Sequence, residues 1–315
     1  MLHRILLATA GALTLTGAVQ AADLTPPPPP PPIWTGFYVG LTAGGTWSGV
    51  NSVDVATVPF FDAGIVPGLG ATSAGLATGN YFVHPTAGFI GGGTLGYNYQ
   101  FSPSIVAGVE FDISGVASDV KNPVVSTLAT IPGSSDLLAQ ATSNSHNIDF
   151  LGTIRGRLGY LITPTLLVYG TGGLAYGQEQ ANTNLTQFVT GTDPALVAAG
   201  ATSPYAVTGF AACSGFPAVE SCRYSTTRVG WTAGGGLEWL FMPNWSVKLE
   251  YLYYHLGTAN YDVGFLQNTS NVTGLALYAN HVISSVSFNG NVVRVGVNYK
   301  FFTWPVVGAP LLPVY

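Results

Sequence analysis

The side chains that could do chemistry in this sequence are few, and most are charges spaced two residues apart. Glu110 and Asp112, Arg155 and Arg157, and Lys248 and Glu250 stand as such pairs, with Asp149, Arg228, Glu238, Arg294 and Lys300 in similar surroundings. A spacing of two puts side chains on the same face of an extended strand. Acids and bases gathered on one enclosed face pair and hydrogen-bond with one another. The expectation is therefore a polar network of Glu110, Asp112, Asp149, Arg155, Arg157, Arg228, Glu238, Lys248, Glu250, Arg294 and Lys300.

Beyond the leader the histidines are His84, His146, His255 and His281. His84, His146 and His281 fall near strand ends or in loops and could converge as a ligand mouth for haem or metal. Their spacing matches no metal motif, so no metal and no cofactor is assigned. His255 continues the apolar parity of Tyr251 and Tyr253 and marks an interface. Catalysis needs a nucleophile, a base and an orienting acid in one place; no Ser-His spacing supplies them, and the expectation is no enzyme. Gly92-Gly93 and Gly234-Gly235-Gly236 lie inside strands with no helix following, which rules out a phosphate loop. Cys213 and Cys222 have no neighbouring His or Cys to share a metal, and in an exported chain they are expected to form a disulfide. The remaining acids are scattered through the loops and outnumber the loop bases, giving a mildly acidic, solvated outer face.

The elements that must position these residues follow from the composition. The chain has 315 residues, 47% hydrophobic and only 7% charged, with a net charge of −5. Globular domains carry roughly 25% charged residues, so much of this surface faces something other than water. Nothing points to nucleic acid as a partner. Met1–Arg4 is basic, Ile5–Val19 is apolar, and Val19-Gln20-Ala21 offers a cleavage site. Residues 1–21 are thus expected to be a signal peptide. Pro26–Pro32 makes residues 22–33 an extended periplasmic spacer.

Residues 34–301 then alternate between two textures. Eight segments show period-two patterning: Phe37–Trp47, Phe89–Phe101, Ile105–Ser114, Ile148–Leu161, Leu166–Gly177, Arg228–Phe241, Trp245–Leu256 and Asn291–Phe301. Each has about the ten residues that a tilted membrane strand needs. Three connections are minimal and centred on Pro103, Pro164 and Pro243, where proline presets the turn. They alternate with four long connections: Ser48–His84, Val116–His146, Gln178–Thr227 and Gly257–Val286. No other stretch reads as a membrane helix, and only helices and closed barrels satisfy the backbone in lipid. The reading is an all-β protein: an eight-stranded, antiparallel, up-and-down transmembrane β-barrel with short periplasmic turns and long extracellular loops. Strand charges all fall on the parity opposite the large apolar residues, and aromatic residues crowd near the short turns as a girdle. Eight strands leave room for little more than side chains, so the lumen is expected to be filled.

The motifs Trp34-Thr35-Gly36-Phe37-Tyr38-Val39-Gly40-Leu41, Gly92-Gly93-Thr94-Leu95-Gly96-Tyr97-Asn98-Tyr99-Gln100 and Asn291–Phe301 carry a resemblance. The chain resembles the small outer-membrane immunogenic β-barrel proteins of alphaproteobacteria, which are related to the transmembrane domain of outer membrane protein A. The resemblance implies a surface protein of the Gram-negative outer membrane with structural and antigenic roles, contributing to envelope integrity. Some relatives are porin-like or haem-binding, which makes a narrow channel or a ligand-binding receptor the alternative. The implied partners are outer-membrane lipid and lipopolysaccharide, the barrel-assembly machinery, and peptidoglycan or host molecules. One departure is that residues 302–315 follow the last strand as a periplasmic tail, with Pro305, Pro310 and Pro313 unable to join a ladder.

Overall fold

In a computed structural model the described residues are 33–49, 52–64, 67–83, 87–118, 124–133, 137–190, 223–269 and 276–301. The expected signal peptide, the proline run, His84, Cys213, Cys222 and the expected periplasmic tail lie outside them. Among the described residues eleven strands and one helix follow in order: β1 (Gly36–Ser48), β2 (Ser52–Asp62), α1 (Leu69–Ala77), β3 (Gly79–Phe82), β4 (Ala87–Gln100), β5 (Ile105–Ser118), β6 (Val124–Thr130), β7 (Leu137–Thr163), β8 (Leu166–Thr190), β9 (Arg223–Met242), β10 (Trp245–Thr269) and β11 (Ala276–Phe301).

Eight of these strands, β1, β4, β5, β7, β8, β9, β10 and β11, form one antiparallel ring. The ring closes between the first and last strands, from Phe37 opposite Phe301 to Ser48 opposite Gly290. Closure leaves no edge in the membrane zone. The outer band carries Leu41, Leu95, Phe111, Ile113, Leu158, Leu174, Val229 and Val295, all exposed to the surroundings. Aromatic rings bound the band. Phe37 and Tyr97 lie 4.8 Å apart and Trp245 and Tyr299 5.1 Å apart near the short turns, and Trp231 and Tyr253 lie 5.4 Å apart at the other rim. The ten-residue rise from Phe37 to Trp47 covers about 25 Å at the usual strand tilt, which matches the apolar height of a barrel. His255 sits in the outer rim, 6.1 Å from Trp231, where an interfacial residue was expected.

The short turns form as expected. In the β4–β5 turn the Ser102 hydroxyl accepts the Ile105 N–H at 3.0 Å and Phe101 N–H donates to the Ile105 carbonyl at 3.2 Å. The long connections differ from the expectation of loops. β7 has 27 residues, β8 and β10 have 25 each, and β11 has 26. A membrane crossing uses about ten, so these walls continue for roughly another 30–40 Å outside the bilayer. There β2 pairs with β11, β3 with β2, and β6 with β7. In this outer extension strands that flank β9 meet through the interior: the Thr183 hydroxyl on β8 lies 2.7 Å from Tyr261 Oη on β10. Its interior holds an apolar cluster that includes Leu185, Leu252, Leu256, Ala259, Val263, Val282, Val286 and Phe288. The dense charged belt belongs to the membrane zone, while buried polar side chains such as Gln140, Thr183, Gln187 and Asn280 continue into the extension.

Helix α1 is seated in the outer extension by amides. Asn280 Nδ2 donates to the Gly70 carbonyl at 3.1 Å and to Ser73 Oγ at 2.9 Å, and Ser73 Oγ donates to Gln187 Oε1 at 2.6 Å. Its Leu69 packs in a cluster with Ile131, Leu138, Leu277 and Tyr278.

Candidate functional site

The site is the charged belt within the membrane zone. Strand alternation brings side chains inward from β5, β7, β9, β10 and β11. Arg155 sits at its centre. Its guanidinium reaches Glu110 at 2.5 Å, Asp112 at 2.9 Å and Glu250 at 2.9 Å. Arg294 meets Asp112 at 3.0 Å and Glu250 at 2.7 Å. Lys248 Nζ donates to both oxygens of Glu110 at 2.8 Å. Arg157 donates to Glu238 at 2.6 Å and to Tyr38 Oη at 3.0 Å, and it lies 4.0 Å above the Tyr169 ring. Tyr38 Oη in turn donates to Glu110 at 2.7 Å, and Ser246 and Asn298 donate to Glu238. All eight charged side chains are at most 2% exposed. Four cations face four carboxylates, so the belt is neutral. Such charges are tolerated away from water only when paired and hydrogen-bonded.

Three predicted members stand apart. Lys300 is buried nearer the short turns, its Nζ 3.5 Å from the centre of the Trp34 ring and without a hydrogen bond among the described residues. Asp149 is not in the lumen. A register shift between Ile148 and Phe150 turns it aside, and it accepts hydrogen bonds from Asn147 and Gln180. Arg228 is beyond the belt, with its side chain 30% exposed and 3.7 Å from Glu179. Glu179 is the residue that sequence reasoning missed. It is fully buried above the outer aromatic rim, with no hydrogen bond to its carboxylate among the described residues. Burial pushes its pKa up to about 8, and Arg228 opposes that shift.

The expected histidine mouth does not form among the described residues. His146 points inward and is buried, which lowers its pKa to about 4. His281 points outward, 2.9 Å from Asp262 and beside Phe265. Residues of opposite strand parity cannot share a ligand on one face. His146 does lie 2.9 Å from Ser48 Oγ, a Ser-His contact that no sequence spacing suggested. That pair borders a cavity of about 30 Å³ shared with Thr46, Leu151, Tyr254 and Phe288, room for about two waters.

A ring of eight antiparallel strands with an apolar girdled exterior and a charged, hydrogen-bonded interior defines a small outer-membrane β-barrel protein. The chain belongs to the outer membrane protein beta-barrel domain family, whose model matches residues 8–301. It is similar to the 31 kDa outer-membrane immunogenic protein of Brucella melitensis, at 31% identity over 94% of this chain and 99% of that one. It is also similar to the 22 kDa outer membrane protein of Rhizobium leguminosarum, at 26% identity over 69% of this chain and 68% of that one. Among solved structures, OprG from Pseudomonas aeruginosa aligns with 85% of this chain and 97% of its own, at 10% identity and a TM-score of 0.32. The expected membership of the alphaproteobacterial outer-membrane group is borne out, and the protein resides in the Gram-negative outer membrane.

Proposed function

We propose that this barrel is a structural, surface-exposed component of the envelope whose lumen does not conduct. The observation that carries this reading is Arg155, which holds three carboxylates from two strands at the centre of a neutral belt. Ions entering such a belt must break charge-assisted bonds, each stronger than a neutral one. In the same reading the outer band contacts lipid and lipopolysaccharide, the last strand is recognised by the barrel-assembly machinery, the outer extension presents a face to host molecules, and the periplasmic side faces peptidoglycan.

Planar-bilayer recording of purified protein tests the reading. Quiet membranes are expected from the wild type. Steady, voltage-independent openings would replace it with the narrow-channel alternative.

A further inference from the structure

The motif Trp34-Thr35-Gly36 has no part in the charged belt, yet it is among the most constrained segments of the barrel. Trp34 is only 1% exposed, although it precedes the first strand. The chain turns at Gly36, whose φ of 139° side-chain-bearing residues rarely adopt. The β1 ladder begins at that same residue, opposite Asn98. The turn carries Trp34 beneath the ring, where its indole N–H donates to the Pro164 carbonyl in the β7–β8 turn at 2.9 Å. Its own N–H donates to Gln100 Oε1 at 3.3 Å, and Thr35 Oγ1 accepts the Gln100 N–H at 3.0 Å. Val106, Leu161, Leu167, Tyr169 and Leu240 form the apolar wall around the ring. Lys300 lies over its face.

An apolar slot with a hydrogen-bond acceptor at its rim and a cation over its face is built to recognise an indole. Nothing in the slot is joined to Trp34 by a strand ladder. We propose that the periplasmic base of the barrel is an aromatic-binding site filled in cis by Trp34, a stopper hinged at Gly36 that controls access to Lys300. Rotation at Gly36, the first residue of the ladder, withdraws the ring while every pair from Phe37 onward stays in place, and opens the buried ammonium to periplasmic water. The vacated slot then accepts an aromatic group bearing an N–H donor.

The lysines of the chain are Lys121, Lys248 and Lys300, so amine labelling reads the stopper directly. Full-length protein folded in detergent is treated with a water-soluble amine reagent, and the Lys300 peptide is quantified by mass spectrometry against Lys121. Trp34→Ala is expected to speed Lys300 labelling by about tenfold or more, as a lost local closure does for protected groups. Gly36→Val, which keeps the indole but strains the turn, is expected to speed it as well and serves if Trp34→Ala does not fold. Millimolar indole is expected to restore protection in Trp34→Ala, and naphthalene, which has no N–H, to restore less. Lys300 labelling that is unchanged in both variants overturns the stopper. Failure of indole to restore protection in folded Trp34→Ala overturns the aromatic site.

Discussion

Arg155 answers three carboxylates at once, so its removal has a predictable sign. Arg155→Met leaves Glu110, Asp112 and Glu250 short of positive charge in a closed space. Stripping one partner from a buried ionic cluster costs about 3–5 kcal/mol. Urea unfolding of the folded barrel is expected to shift by that amount, and adding Glu250→Gln to the same chain is expected to recover part of it. Glu179 and His146 set a pH dependence in the outer extension. The carboxyl of Glu179 is raised from about 4.5 to about 8. The folded form therefore holds a proton that the unfolded chain has released, and stability falls as pH rises between those values. His146 is lowered from 6.5 to about 4. Its contribution is lost as pH drops through that window. Protease resistance of the outer extension is expected to decline as pH rises from about 6.5 to about 8 in wild type and to decline less in Glu179→Gln. Between about 4.5 and 6.5 the two groups act in opposite senses, so His146→Gln is expected to uncover a fall in resistance with rising pH that wild type lacks there. Identical pH profiles in the three proteins would remove both assignments.

Element by element, the walls obey a rule that joins large to small. Tyr38, Tyr169 and Tyr254 point inward, and each is paired directly across its ladder with a glycine: Gly96, Gly236 and Gly290. The ring folds over the space that a side chain would fill. A Cβ on Gly96 would run into the Tyr38 ring. Gly96→Val must displace Tyr38 and break its bonds to Glu110 and Arg157, and overpacking of this kind costs about 1–3 kcal/mol. The unfolding midpoint in urea is the measurement, with Tyr38→Ala in the same background relieving the clash. Much at this scale was legible in the sequence. Within the membrane zone, lipid on one side forces alternation, so segments such as Val293–Phe301 announce their faces. Beyond the bilayer both faces of a wall can carry polar groups. In Gln178–Thr190, Asn182 and Thr186 face outward while Thr183 and Gln187 face inward, and the period disappears. For that reason half of β8, and Glu179 with it, read as loop. The bulge beside Asp149 was hidden for another reason: one extra residue reverses parity without any change in composition.

For the whole molecule, a closed ring with an interior of matched charges is expected to resist detergent at room temperature. Unboiled and boiled samples should migrate differently on a denaturing gel, and the protein should partition with the membrane fraction. A single band at one position, with the protein in the soluble fraction, would contradict the ring. The charges of the belt were readable one by one, but their partners were not. Arg155 and Glu250 are 95 residues apart in sequence, and only the curvature of the closed wall brings them together.

Phe37 and Phe301 meet at the seam that completes the ring, so the first strand must wait for the last. Loop-closure entropy over such a separation makes this final pairing slow relative to any hairpin. Until it happens, the neighbouring hairpins display apolar faces and two unpaired edges to the periplasm. A cell that makes this chain therefore has to shelter it between export and insertion, and the rate at which the seam zips sets how long that escort must last.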